Sequence, residues 1–114
     1  MSIERIQPGE WNARAVVHNG IAYLSGIVAD DKLLSIKQQT TQVLAKIDAV
    51  LAEAGTDKSK ILSSVVYLAH MGEKDDMNEI WMAWIGKDNL PARACVGVTL
   101  TPNTKVEIMV CAAI

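Results

Sequence analysis

The residues best suited to chemistry lie in the last quarter of the chain, where two apolar runs each contain one charged side chain. Arg93 stands in the run Pro-Ala-Arg-Ala-Cys-Val-Gly-Val at residues 91–98, and Glu107 in the run Val-Glu-Ile-Met-Val at residues 106–110. Both runs are predicted to be strands, because turn-forming residues bound them. Burying an unpaired charge is costly, so each side chain is expected to be paired, hydrated in a cavity or presented to a ligand.

Arg93 and Glu107 admit two interpretations. If their strands are antiparallel neighbours, the guanidinium and the carboxylate come near one another, as a structural ion pair or as part of a ligand site. Ion pairs occur in sheets that do no chemistry, whereas perturbed charges in a cleft mark functional sites. The residues alone leave both interpretations open.

Length and composition predict a single globular domain over residues 1–114. Half of the 114 residues are hydrophobic and 21% are charged, which is the balance of a globular protein with one core. No apolar run approaches the ~20 residues that a membrane span needs. The first residues lack the basic and apolar segments of a secretion signal, so a cytoplasmic location is expected.

Charge and side-chain chemistry argue against nucleic acid and metal as partners. The net charge is −2, the eleven basic residues are scattered among thirteen acidic ones, and the aromatic residues are three Trp and two Tyr. Phosphate backbones and bases select for clustered cations and stacking aromatics. Cys95 and Cys111 have no metal-type spacing to each other or to His18 and His70, so both thiols are predicted to be reduced and buried.

The apolar periodicity alternates between strand and helix. Apolar residues at spacings of three, four and seven predict a helix over residues 35–54, which Gly55 ends. A second helix is predicted over residues 75–84, with acidic residues at its amino end where the helix dipole favours them. Strands are predicted at residues 3–6, 15–18, 21–28 and 61–68 besides the two final runs, with a hairpin turn at residues 18–20.

This order of elements predicts an α+β fold, with one mostly antiparallel sheet that carries both helices on a single face. The strands are apolar at most positions, whereas a sheet face open to water alternates cleanly with polar residues. The uncovered face is therefore expected to pack against other copies of the chain.

Five segments of the sequence resemble the Rid family of reactive intermediate deaminases, also called the YjgF family. They are Tyr-Leu-Ser-Gly at 23–26, Ile-Asp-Ala-Val-Leu-Ala-Glu-Ala-Gly at 47–55, Met-Asn-Glu-Ile-Trp at 77–81, Pro-Ala-Arg-Ala-Cys-Val at 91–96 and Val-Glu-Ile at 106–108. The resemblance runs from about residue 16 to the last residue. Trp11, residues 17–19 and residues 47–51 are most similar to the YoaB-like branch.

The resemblance implies a chorismate-mutase-like fold assembled as a homotrimer with clefts between subunits. It also implies hydrolysis of enamines and imines released by pyridoxal-phosphate enzymes, namely 2-iminopropanoate-like 2-imino acids, to 2-oxo acids and ammonia without a cofactor. Arg93 then holds the substrate carboxylate, which its planar fork of donors suits. Glu107 orients water or transfers a proton, or else it holds the Arg93 guanidinium in place.

Further pocket residues follow from the same resemblance, which implies lining roles for Ser25, Asn78 and Cys95. The best characterised members of the family have a Tyr before the second strand, whereas this chain has Trp-Asn-Ala-Arg-Ala at residues 11–15. Arg14 or Trp11 is expected to fill that space. A non-catalytic binding or regulatory module for small carboxylates is the alternative function. The acidic composition and the lack of a catalytic His pair disfavour the ribonuclease activity also attributed to the family.

Overall fold

Three short strands open the fold. The computed structural model describes residues 2–114, in which strand β1 (Glu4–Pro8) pairs antiparallel with β2 (Ala13–His18), and β2 pairs with β3 (Ile21–Leu24). Asn19 and Gly20 both have positive φ, at 52° and 77°. Two such residues are what a tight two-residue hairpin turn requires, so the predicted turn is confirmed. The continuous strand predicted over residues 21–28 is wrong, because it breaks at residues 25–26 before β4 (Ile27–Val28).

The two helices lie within a residue or two of their predicted positions. Helix α1 (Ile36–Glu53) begins at Ser35, whose hydroxyl accepts from the Gln38 amide while the Gln38 side chain accepts from the Ser35 amide. This reciprocal cap satisfies two backbone donors that a helix start leaves free. Helix α1 ends before Gly55, which has a φ of 85°. Helix α2 (Lys74–Ile85) follows a short 3₁₀ turn at residues 71–73.

The remaining strands complete one seven-stranded sheet. They are β5 (Ile61–Leu68), β6 (Ala92–Gly97) and β7 (Val106–Ala113), and the sheet order is β1-β2-β3-β7-β5-β6, with β4 also paired to β7. Every pairing is antiparallel except that of β5 with β6. These two strands run parallel because α2 connects them as a crossover. The α+β prediction of a mostly antiparallel sheet is confirmed.

The two faces of the sheet differ in burial. Along β7, every second residue from Val106 to Ala112 is buried toward the helices, and the residues between them point to the other face. The helix-covered face forms the core with the buried stripes of α1 and α2. The other face, here called the open face, carries exposed apolar side chains, among them Tyr23, Val96 and Met109 at 46%, 40% and 40% exposure. Neither helix within residues 2–114 is long and apolar enough to cross a membrane.

Candidate functional site

Arg93 lies on β6, an edge strand, and its side chain is held by helix α2. Its Nη2 atom donates to Asn78 Oδ1 at 2.7 Å, and its Nη1 atom lies 4.0 Å from the sulfur of Met77. The guanidinium carbon lies 5.2 Å from the centre of the Trp81 ring, within the range of a cation–π contact. These contacts place the half-buried Arg93 on the helix-covered face and fix the plane of its charge.

The spacing of the α2 residues explains this arrangement. Met77, Asn78 and Trp81 fall within one helical turn, so they present neighbouring side chains toward the same strand. Met77 and Trp81 are buried, whereas Asn78 lies at the edge and is half-buried. Among the ion pairs formed by residues 2–114, none involves Arg93. The guanidinium therefore retains N–H donors and a charge that no carboxylate among the described residues neutralises.

Glu107 lies on the open face of β7. Its neighbours Val106 and Ile108 are both fully buried, and its register partners are Tyr67 of β5 and Val28 of β4. A Cβ atom at Gly26 would lie 2.2 Å from Glu107 Oε2. The break between β3 and β4 thus makes room for the carboxylate, and only a glycine at position 26 leaves that room free.

The expected proximity of Arg93 and Glu107 is wrong within one chain. Strand β5 lies between β6 and β7, and Arg93 is in register with Ser64, which is in register with Val110 rather than with Glu107. The two side chains also point to opposite faces of the sheet. The intrachain ion pair is therefore excluded, and the physical reason is the α2 crossover, which places β6 beyond β5 instead of beside β7.

Ser25 links the β2–β3 hairpin to the region around Glu107. Its hydroxyl donates to the Ala13 carbonyl at 2.5 Å, and its amide donates to the Arg14 carbonyl at 2.9 Å. Ser25 immediately precedes Gly26, and the Glu107 carboxylate lies against Gly26. Ser25 and Glu107 therefore belong to one structural unit that includes the base of the hairpin.

Arg14 and Trp11, the two candidates for the space of the family Tyr, both line a cavity of about 340 Å³ at the β1–β2 hairpin. Arg14 also lines a second cavity of about 180 Å³ together with Lys46 and Val50 of α1, so it lies beside the helix as well as beside Ser25. Trp11 stands at the tip of the β1–β2 hairpin and is 85% exposed. No residue among those described packs against Trp11 closely enough to bury its indole ring.

Cys95 lies beside Arg93 and not beside Glu107. It is half-buried two residues after Arg93 on the same face of β6, and it packs against the core. Cys111 is also half-buried, so the prediction that both thiols are buried is too strong. In the part of the chain that the structure describes, no group of three or more His, Cys, Asp or Glu side chains is arranged to hold a metal ion.

Lys32 is a cation near Glu107. The Lys32 ammonium donates to the Ala29 carbonyl, one residue beyond the Val28 that pairs with Glu107. Burial lowers the pKa of Lys32 and the nearby Lys46 lowers it further, whereas the charges of Asp30 and, to a lesser extent, Glu107 raise it. The carboxylate on the open face therefore has a half-buried lysine in its surroundings, which no local pattern predicted.

Sequence reasoning also missed the side chain that holds the loops around Glu107. Gln39 is fully buried in α1, and its Nε2 atom donates to the carbonyls of Lys32, Leu34 and Asn103 at 3.3, 3.2 and 3.0 Å. Its Oε1 atom accepts from the Lys105 amide at 3.0 Å. The available signal was its position on the apolar stripe of α1, where a polar residue needs buried partners.

The comparisons with known proteins agree with this fold. A family model described as Endoribonuclease L-PSP matches residues 3–114. The chain belongs to this family, whose members are also called YjgF or Rid proteins. A RutC family protein of Haemophilus ducreyi is 44% identical over 113 residues, which cover 98% of this chain and 97% of the relative.

Two further relatives of this Rid-family chain cover nearly all of it. The RutC family protein YoaB of Escherichia coli is 36% identical over 115 residues and covers 100% of both chains. The crystal structure of NMB1025, a YjgF-family protein from Neisseria meningitidis, has a TM-score of 0.95 at 40% identity, covering 99% of this chain and 95% of that one. The resemblance to the Rid family and its YoaB-like branch is confirmed.

Proposed function

We propose that residues 1–114 form a single Rid-type domain that hydrolyses reactive enamine or imine intermediates. The substrates are 2-imino acids similar to 2-iminopropanoate, and the products are 2-oxo acids and ammonia. The observation that carries this proposal is the state of Arg93, a guanidinium held by Asn78 and Trp81 with no carboxylate partner among residues 2–114. Such a group is prepared for a carboxylate ligand.

Arg93 supplies orientation in this proposal. Asn78 occupies one N–H of Nη2, so each terminal nitrogen keeps a further N–H for two parallel hydrogen bonds to the substrate carboxylate. Because the guanidinium plane is already fixed against Trp81, little rotational freedom is lost on binding. A substrate held in this way presents its imine carbon in a constant direction.

The position of Glu107 supports a site formed between copies. Arg93 and Glu107 point to opposite faces of one sheet, so a site that uses both needs Glu107 of one copy beside Arg93 of another. Strand β6 is an edge strand, which leaves Arg93 close to the rim of the sheet. The exposed apolar side chains of the open face support its burial between copies, and we propose a homotrimer.

The proposed reaction requires few catalytic groups from the protein. A protonated 2-imino acid is already electrophilic at its imine carbon, so no cofactor is needed. Water adds to that carbon while Glu107 takes a proton from the water, and Glu107 then returns this proton to the amino nitrogen of the resulting carbinolamine. The carbonyl forms as the C–N bond breaks, and the hydroxyl proton passes to the departing ammonia. One water is consumed, and one 2-oxo acid and one ammonium ion are released. Ser25, Cys95 and Arg14 are proposed to line the cleft, and the cytoplasm is the proposed place of action.

The test is ammonia release from a 2-imino acid generated in the same tube by an amino-acid dehydratase. We expect the wild-type protein to accelerate release, Arg93→Ala to lose most of that acceleration, and Arg93→Lys to recover part of it because one ammonium cannot form the paired hydrogen bonds. Arg5→Ala is the matched control, since Arg5 is exposed on β1 at the opposite edge of the sheet. A wild-type protein with no acceleration over buffer contradicts the deaminase proposal.

The alternative, a non-catalytic binder of small carboxylates, shares Arg93 and differs in turnover. It predicts thermal stabilisation by pyruvate that is lost in Arg93→Ala, without ammonia release from the imine. The family description names an endoribonuclease, so single-stranded RNA is included as a substrate. We expect no cleavage, because the basic residues are scattered and the net charge is −2.

A further inference from the structure

Ser64 carries a buried hydroxyl beside Arg93. The residue is 3% exposed, and its Oγ atom has no hydrogen-bond partner among residues 2–114. Ser64 is the register partner of Arg93 in the parallel pairing of β5 with β6, so both side chains project from neighbouring positions on the helix-covered face. Val66 and Leu68, the next residues of β5 on that face, are fully buried and apolar.

An unpartnered hydroxyl in this layer is unfavourable for the folded chain. A hydroxyl that is buried without a hydrogen bond loses its hydration, and no new interaction offsets that free-energy cost. An alanine at this position would avoid the cost. Native proteins satisfy nearly all buried polar groups, and an exception deserves an explanation in terms of function or a missing partner. The position of this exception, in register with the unpaired cation of the proposed site, provides one.

Arg93 has a donor that matches the free acceptor of Ser64. Its Nη1 and Nη2 atoms contact Met77 and Asn78, whereas its Nε–H makes no hydrogen bond within the described chain. We infer that Ser64 is a positioning residue for Arg93, whose Nε–H donates to Ser64 Oγ when a carboxylate binds to the outer edge of the guanidinium. This inference rests on the proposed function of Arg93.

The consequence is a guanidinium held on two sides in the ligand-bound state. Asn78 fixes one terminal nitrogen and Ser64 fixes the Nε atom. With one N–H of Nη1 at the Met77 sulfur, one N–H remains on each terminal nitrogen, and these two point together toward the two carboxylate oxygens. The Ser64 hydroxyl is shielded from solvent, so water does not compete for this hydrogen bond. Ser64 thus lowers the stability of the free protein and raises its affinity for the carboxylate.

The experiment measures stability and affinity together, with pyruvate as the probe. We expect Ser64→Ala to melt at the same temperature as wild type or higher without ligand, and to bind pyruvate roughly ten- to a hundredfold more weakly, the range of one hydrogen bond to a charged group. Ser64→Thr keeps the hydroxyl and should restore most of the affinity. Ser63→Ala is the control, because Ser63 is the preceding residue and its side chain is exposed.

The outcomes separate this inference from the proposal beneath it. A Ser64→Ala variant with wild-type pyruvate affinity, while Arg93→Ala has lost binding, overturns the role of Ser64 and leaves the role of Arg93 intact. A lower melting temperature with unchanged affinity assigns the hydroxyl to packing and also overturns the inference. A wild-type protein that neither binds pyruvate nor releases ammonia overturns both.

Discussion

Arg93 and Glu107 lie on opposite faces of one sheet, with strand β5 between the strands that carry them. Arg93 contacts Asn78 and Trp81 on the helix-covered side, whereas Glu107 rests on Gly26 on the open side. Two charges in neighbouring apolar runs of the sequence are thus separated by the thickness of the sheet. Neither residue serves as the ion-pair partner of the other within one chain.

This separation makes assembly a condition of the proposed chemistry. A carboxylate ligand on Arg93 of one chain cannot also meet Glu107 of the same chain, because the strands and their side chains lie between them. Any reaction that needs both residues therefore depends on the contact between copies. Loss of assembly and loss of activity should accordingly occur together.

The first prediction places a charge on the open face. Met109→Glu introduces a carboxylate where we propose burial between copies, and desolvating it without a partner opposes assembly. We expect light scattering to report the single-chain mass of 12.4 kDa instead of about three times that mass, and imine hydrolysis to be lost.

Met82→Glu is the matched control, because Met82 is 62% exposed on helix α2, away from the open face. This variant should keep both the trimer mass and the activity. A monomeric Met109→Glu protein that turns over imine at the wild-type rate would contradict a site formed between copies. So would a wild-type protein that is monomeric at micromolar concentration.

The second prediction moves the Glu107 carboxylate without removing it. In Gly26→Ala the new methyl group would lie 2.2 Å from Glu107 Oε2, so the flexible end of that side chain must turn away. We expect a nearly unchanged melting temperature and a loss of kcat/KM that approaches the roughly 10²- to 10⁴-fold typical of losing a general base. Gly72→Ala, which meets no atom within 4 Å, is the control. Wild-type kinetics in Gly26→Ala would remove Glu107 from the mechanism.

Local signals in the sequence were sufficient to predict the elements. The apolar stripe and Gly55 determine α1, and Asn19 with Gly20 determines the first hairpin, because these depend on residues close together along the chain. The break at residues 25–26 was missed. At this break the Glu107 carboxylate, more than eighty residues away along the chain, lies against Gly26, and no local pattern contains that contact.

The site was predictable by residue but not by arrangement. The Arg in an apolar run and the family resemblance were enough to select Arg93, yet the order β7-β5-β6 follows from how α2 packs on the sheet. A hydrophobic pattern also does not reveal which polar residues lack partners. Ser64 and Gln39 both stand in apolar positions, and only the packed structure shows that the first is unsatisfied and the second bonded four times.

The third prediction concerns acid. A hydrogen bond from Lys46 at 2.8 Å, aided by the charge of Lys46, lowers the pKa of Asp30 below its ordinary 3.8. The unfolded chain therefore binds this proton first, so the pair stabilises the fold above that pH and the contribution is lost as pH falls through the lower folded pKa. Asp30→Asn should melt slightly below wild type at pH 7, and the difference should disappear near pH 3 or lower.

High salt should shrink the same difference at pH 7, because the Asp30 side chain is 79% exposed and its attraction to Lys46 is screened. Melting curves of both proteins across this pH range, at low and high salt, provide the measurement. A difference that grows toward acid pH would show that Asp30 is easier to protonate in the folded chain than in the unfolded one, contrary to the geometry.

The last prediction tests the side chain that joins the two loops near Glu107. Gln39→Leu keeps the approximate volume but removes four hydrogen bonds, leaving the Lys105 amide and three carbonyls without their buried partner. We expect a loss of about 2–4 kcal/mol in the free energy of unfolding, measured with urea. Hydrogen exchange should quicken at the Lys105 amide before it quickens in β5, because the loop opens locally.

Gln42→Leu is the comparison, since Gln42 is only half-buried and accepts from two exposed residues of one loop, Asp30 and Asp31. Equal losses in the two variants would mean that burial of Gln39 adds nothing, and the account of Gln39 as the link between the loops would fail.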